Sequence, residues 1–151
     1  MIVICDASVI IVLAKIGYLR LLRELFGSVL IPQTVYAESV VKDTAETPTI
    51  ARAVDAGWIR IVPDPDHVQE GPGRGERAAL ALASELGADL MIVDDLVARR
   101  LANVAGIPIS GTVGVLERAI DHGLIAGGEA LVNALVEAGF RASEELLDRL
   151  A

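Results

Sequence analysis

The sequence predicts an α/β fold, a three-layer α/β/α sandwich around a central, mainly parallel sheet. Three observations predict it. Short apolar runs rich in Val and Ile alternate with helical stretches along the chain. Nearly all of these runs are continuously apolar, as strands covered on both faces are. Acids follow directly on two of them, and in parallel sheets sites form beyond the carboxyl ends of strands.

"IVIC" (2–5) is the first strand. "SVIIVLAKIG" follows as a helix that is apolar almost all round, with Gly17 as its stop. "YLRLLRELFG" puts Leu19, Leu22, Leu25 and Phe26 on one face and ends at Gly27. "SVLIP" is the second strand, and Pro32 suits the first turn of the helix in "PQTVYAESVV". In "TPTIARAVDAG", Thr47 is placed to cap a helix with Pro48 at its first position, and Gly57 ends it. "WIRIV" alternates, as a half-exposed strand does. Residues 63–75, "PDPDHVQEGPGRG", form the one long loop signal. "ERAALALASELGA" is a helix of strong formers stopped by Gly87. "DLMIV" and "IPIS" are the last strands, and "LVARRLANVAG" and "TVGVLERAIDHG" the helices that follow them. "GGEALVNALVEAGF" and "SEELLDRLA" close the chain as helices.

With 151 residues the chain is the size of one domain, and 53% apolar residues can fill one core. Aromatics are only 3%, so aliphatic side chains must do the filling. No apolar run approaches the roughly 18 residues of a membrane span. "MIVICDAS" lacks the basic start of a signal peptide, and a single Cys excludes an internal disulfide; both fit a cytoplasmic protein. The net charge of −8 argues against broad, charge-driven nucleic-acid binding but leaves room for a local site.

The acids are the informative residues. Asp6 follows the first strand, and Asp94 and Asp95 follow "LMIV". Glu38 lies in the helix after Pro32, and Glu76 opens the helix after the glycine-rich loop. Each has an ordinary explanation alone: Asp6 as a helix cap, Glu38 as a solvated side chain, Glu76 as a first-turn charge, and one of the Asp94–Asp95 pair as a cap. Together they bring carboxylates from four segments toward one sheet edge. Crowded carboxylates repel, and a hard divalent cation such as Mg²⁺ or Mn²⁺ resolves the conflict. Such ions activate water and steady the leaving oxygen of a phosphodiester. Arg74 in "GPGRG" is a candidate phosphate contact, Arg99 and Arg100 lie near the acids in sequence, and Lys15 is a further candidate near the site. His67 and His122 have no partner at metal-ligand spacing, and Cys5 sits inside an apolar strand.

The stretches "VICDASVIIVLAKIGYLRLLRELFG", "VLIPQTVYAESV", "GRGERAALALASELGADLMIVDDLVARRLA" and "GIPISGTVGVLERAIDHGLI" resemble, in this order, the PIN domain of the VapC toxins of toxin–antitoxin pairs. The resemblance covers most of residues 1–125 as a PIN-like nuclease domain. It leaves 126–151 as a C-terminal helical extension packed on the same domain. It implies a metal-dependent endoribonuclease with Asp6, Glu38, Glu76 and Asp95 as catalytic acids, and Asp6, Glu76, Asp94 and Asp95 around the metal. Asp95 is chosen by aligning on the last residue of the toxins' motif. The resemblance adds Ser8, two residues after the first acid, to the substrate-side group of Lys15, Arg74, Arg99 and Thr112. It implies RNA as substrate and an antitoxin protein as a partner.

Two other classes compete. One is a catalytically silent PIN-like module that holds RNA or protein. The other is a signalling receiver domain, which the pattern disfavours because its acidic pair follows the first strand and a Lys follows a late one. Here the single Asp6 comes first, and Gly111-Thr112 follows "IPIS". Finally, Ile10, Ile11, Leu13, Ile16, Leu19, Leu22 and Phe26 make the N-terminal helices too apolar for one sheet face to cover. That surplus, with the pairing habit of PIN-like proteins, predicts a homodimer.

Overall fold

The computed structural model describes residues 1–68 and 73–151. Within them the elements run β1 (Val3–Cys5), α1 (Ala7–Lys15), α2 (Leu21–Phe26), β2 (Val29–Pro32), α3 (Gln33–Val40), α4 (Thr47–Asp55) and β3 (Ile59–Val62). They continue as α5 (Arg74–Leu86), β4 (Leu90–Ile92), α6 (Leu96–Val104), β5 (Ile109–Ser110), α7 (Thr112–Asp121), α8 (Glu129–Glu137) and α9 (Glu144–Asp148). Every predicted strand is present, shortened by a residue or two.

All strand pairs are parallel, in the order β3-β2-β1-β4-β5. β1 lies at the centre, with Ile4 opposite Leu30 on one side and Met91 on the other. Its three residues are fully buried, which is why the run is continuously apolar. Helices α3, α5 and α6 pack in series, α2 packs on α7, and α1 lies against α3, α4 and α7. The result is the α/β/α sandwich that the alternation of elements predicts.

Local signals hold with small shifts. Gly17 takes φ +81° just past the end of α1, where a Cβ would be strained. α4 starts one residue early, so Thr47 is its first residue and its hydroxyl accepts from the Thr44 N–H at 3.1 Å. Pro32 stays in the sheet opposite Val62 and occupies the N-cap of α3 rather than its first turn. Of the loop at 63–75, residues 69–72 lie outside the described residues. α5 begins at Arg74, before the glutamate expected to open it.

The apolar surplus of the N-terminal helices is absorbed within one chain. Ile10, Leu13, Leu19 and Leu22 are fully buried, and Ile16 and Phe26 pack half-buried against the same core. Helix α7 lies against both α1 and α2. The surplus therefore gives no support to a dimer, because the large apolar side chains left exposed lie elsewhere. Among them, Leu96, Val97 and Val104 are on α6. Leu131, Leu135 and Leu150 from the last helical segment enter the same core. The Gly128 N–H donates to the Leu150 carbonyl at 2.7 Å, and Arg149 pairs with Glu117 of α7. No described helix is long and apolar enough to cross a membrane.

Candidate active site

From β1 the chain winds outward through β2 and β3, then returns to β1's other side as β4. The crevice between β1 and β4 is thus the switch point of the sheet, where neighbouring connections diverge and leave an opening. Asp6 lies just beyond β1 and Asp94 two residues beyond β4. The Asp6 N–H donates to the Ile92 carbonyl at 3.0 Å, which fixes the first acid against the neighbouring strand.

Asp6 occupies the N-cap of α1 without capping it. Its backbone is extended, as a cap's is, but its side chain makes no cap hydrogen bond. Oδ2 accepts from the Ser8 hydroxyl at 3.1 Å. Oδ1 is buried and has no hydrogen-bond partner among the described residues. With the residue 1% exposed, burial pushes its carboxyl up to about 6. Glu76 and, more weakly, Glu38 push the same way, against the stabilising Ala7 N–H and Ser8 hydroxyl. A carboxylate placed as a cap, yet left unsatisfied beside two others, has no structural use for its charge.

The other acids arrive from two helices and a strand end. Glu38 leaves α3 and its Oε1 accepts from the Gly75 N–H at 3.0 Å, joining α3 to the start of α5. Gly75 is buried against this carboxylate, and a Cβ there would overlap Glu38 Oε2. Glu76 is in the first turn of α5, and its carboxylate folds back over Gly73. Cys5 is fully buried and its thiol is pushed up, first by burial and then by the charges of Asp6 and Asp94. Both acids therefore bear on the end of β1.

The Asp94–Asp95 pair divides its work. Asp95 is the N-cap of α6, with Oδ2 accepting from the Ala98 N–H at 2.9 Å. One of its two carboxylate oxygens is thus engaged at the helix start, the cap role expected for one acid of the pair. Asp94 turns toward α7: Oδ1 accepts from the Thr112 N–H at 2.8 Å and Oδ2 from the Thr112 hydroxyl at 2.6 Å. Gly111 keeps room for it, since a Cβ there would overlap Asp94 and the Arg99 guanidinium.

The substrate-side candidates separate. Ser8 is exposed at the mouth, with its hydroxyl on Asp6. Arg74 shares a shallow pocket with Glu38 and Thr34. Arg99 donates from Nη1 to the Val93 carbonyl at 2.9 Å, beside Asp94. Thr112 is fully buried and gives both its N–H and its hydroxyl to Asp94, so it positions that acid. Lys15 ends α1, about 13 Å along the helix from Asp6. The Glu46 carboxyl is lowered first by a hydrogen bond from Thr44 and, least of its causes, by the Lys15 charge. His67 and His122 are exposed. Asp64, just beyond β3, adds an acid at this edge that the sequence pattern did not single out. It accepts from the Thr34 N–H at 3.0 Å and from the Thr34 hydroxyl, and so caps α3.

The model of the DUF3368 family, a PIN domain, matches residues 2–151. The chain belongs to the PIN-domain family. No curated protein matches it. The match runs through α8 and α9, so the last helices lie within this family's extent. PIN domains are commonly nucleases and typically use divalent metals. The donors around Asp6 are of the right chemistry for such an ion: hard oxygens, one of them buried and unsatisfied. Among the described residues, no three acids stand close enough to hold an ion as they are. Mg²⁺ tolerates this, because it keeps several waters and is often held by only one or two carboxylates.

Proposed function

We propose that this PIN domain is a metal-dependent endoribonuclease, hydrolysing RNA phosphodiesters at the β1–β4 crevice. The observation that carries the proposal is the Asp6 carboxylate. It is buried, raised first by that burial and then by Glu76 and, more weakly, Glu38, unsatisfied at Oδ1 among the described residues, and placed at a helix start that it does not cap. Mg²⁺ or Mn²⁺ is the group this arrangement fits. Asp6 and Asp94 would hold it, with Glu76 and Glu38 closing the other side. When bound, such an ion lowers the pKa of a water and stabilises charge on the phosphoryl and leaving oxygens. The chain's residues supply the rest. Ser8 steadies Asp6, the Gly75 N–H orients Glu38, Thr112 orients Asp94, and Arg99 offers free guanidinium donors beside it.

This assignment moves the fourth acid from Asp95 to Asp94, and paired variants test it. Asp94→Asn is expected to lose more than about 100-fold in cleavage of an unstructured RNA in Mn²⁺, since an outer-shell partner alone is worth 10–100-fold. Asp95→Asn keeps an efficient cap and is expected to stay within a few-fold of wild type. The reverse order of losses would return the role to Asp95. Undiminished wild-type cleavage in EDTA would overturn the metal dependence itself.

The toxin role is the finer form of the proposal, supported by the resemblance to VapC toxins. A small neighbouring gene whose product pairs a DNA-binding half with a segment that binds this chain would support it. Homodimerisation rests on that resemblance alone.

A further inference from the structure

A cavity of about 560 Å³ opens beside Asp94, on the side of the acids facing the C-terminal helices. Its charged lining is Asp94 and three arginines: Arg99 from α6, Arg141 from the α8–α9 connection, and Arg149 beyond α9. This is a local reversal of sign on a chain of net charge −8. Two of the guanidiniums are already held in place. Arg99 is tied to the Val93 carbonyl, and Arg149 is paired with Glu117, which partly offsets its charge. Side chains fixed in advance lose little entropy when a ligand arrives. Arg141 is exposed at the rim.

The floor is the start of α7. Gly111 and Gly114 line it without side chains, and a Cβ at either would overlap Asp94 and Arg99 or the Ser110 hydroxyl. Thr112 gives its N–H to Asp94, while Val113 and Gly114, first-turn residues whose N–H groups have no acceptor within the helix, line the cavity. The positive end of a ten-residue helix thus adds to the arginines. Phe140 forms part of the wall, half-buried against the core.

We propose that this cavity is the subsite for the single-stranded RNA flanking the scissile bond: one base against Phe140, with the adjoining phosphates on Arg141 and Arg99. The proposal rests on the nuclease reading for the identity of the acid site, with which the cavity shares Asp94. Aromatic stacking accepts any base, and arginines at the rim read phosphate rather than sequence. The subsite therefore gives affinity and register without base preference. The volume is within the range of about 300–1,000 Å³ that bound small molecules fill, enough for a nucleotide.

The test is binding without turnover. A fluorescein-labelled oligouridylate is titrated by anisotropy, in EDTA and at several salt concentrations, with the full chain carrying Asp6→Asn. Adding Phe140→Leu, which keeps apolar volume but removes the aromatic face, is expected to weaken binding about tenfold with the salt slope unchanged. Adding Arg141→Ala is expected to flatten the slope of log K against log salt by about 0.7, the loss of one single-strand phosphate contact. Thermal midpoints equal to the parent's show that both folds are intact. No RNA binding by the parent, or variants that change neither affinity nor slope, would overturn the subsite. Cleavage by the wild-type chain is scored separately. Binding effects without any metal-dependent cleavage would keep the subsite and remove the nuclease reading. Cleavage with unaltered binding would do the reverse.

Discussion

In EDTA at neutral pH, Asp6→Asn is expected to raise the thermal midpoint by about 2–12 °C, and in Mn²⁺ to abolish metal-dependent cleavage. The stability gain follows from the sign of the Asp6 shift. Its carboxyl titrates near 6 in the folded chain, against 3.8 ordinarily. The folded state then binds its proton more tightly than the unfolded state does. Stability falls as the pH rises from about 4 to about 6, and the loss is complete above that window. A shift of this size corresponds to about 3 kcal/mol as an upper figure, or about 1–3 kcal/mol after relaxation around the site. At about 2–4 °C per kcal/mol for a domain of this size, the range above results. Asparagine keeps the shape, removes the buried charge, and still accepts from Ser8. The advantage should vanish below about pH 4, where both proteins are neutral at this position. Saturating Mn²⁺ should invert the ranking. An ion bound only to the folded wild type adds about 2.7 kcal/mol at a hundred times its Kd. The variant should gain little. Scanning calorimetry of both proteins across pH, with EDTA and with Mn²⁺, checks each arm. A variant no more stable than wild type at pH 7.5 in EDTA would mean that the Asp6 charge is satisfied in a way its geometry does not indicate.

The fold was legible because its signals are local. A short, continuously apolar run such as "LMIV" has few alternatives once helices flank it, and an acid directly after such a run must lie at the sheet edge. Asp6 and Asp94 are therefore readable at one edge of the sheet, whereas the adjacency of β1 and β4 is a fact of the fold. The division of labour between Asp94 and Asp95 is not readable. Either acid could cap a helix beginning one residue later, and the choice depends on which backbone turns into α6 first. Glu38 and Gly75 are 37 residues apart, and nothing in either segment announces their hydrogen bond. For Lys15 only the backbone is readable: the rise of a nine-residue helix puts it at the far end of α1, about 13 Å from Asp6. Phe140 and Arg141 had no motif to mark them. Their place beside Asp94 comes from the packing of the last two helices, which is a tertiary fact.

Gly75→Ala is expected to keep or raise stability and yet impair the site. Gly75 is in the first turn of α5, without a positive φ, so alanine suits its backbone. On helix propensity alone the change favours folding by up to about 1 kcal/mol. The new methyl, however, would overlap Glu38 Oε2, whose partner Oε1 accepts from the Gly75 N–H. Glu38 is a flexible side chain on a partly exposed helix face, so it rotates away at little cost instead of forcing α3 from α5. The carboxylate then leaves the crevice, and its contribution to the field at Asp6 weakens. Loss of an orienting partner of this kind typically costs 10–100-fold in metal affinity or activity, and a drop of that order in Mn²⁺-dependent cleavage is expected. Glu38→Gln separates charge from position, because its amide oxygen still accepts from the Gly75 N–H. If the Glu38 charge matters, both variants lose activity. If only the α3–α5 link matters, Glu38→Gln keeps activity while Gly75→Ala loses it. Full activity in Gly75→Ala would remove Glu38 from the site, since the methyl and the present carboxylate position cannot coexist.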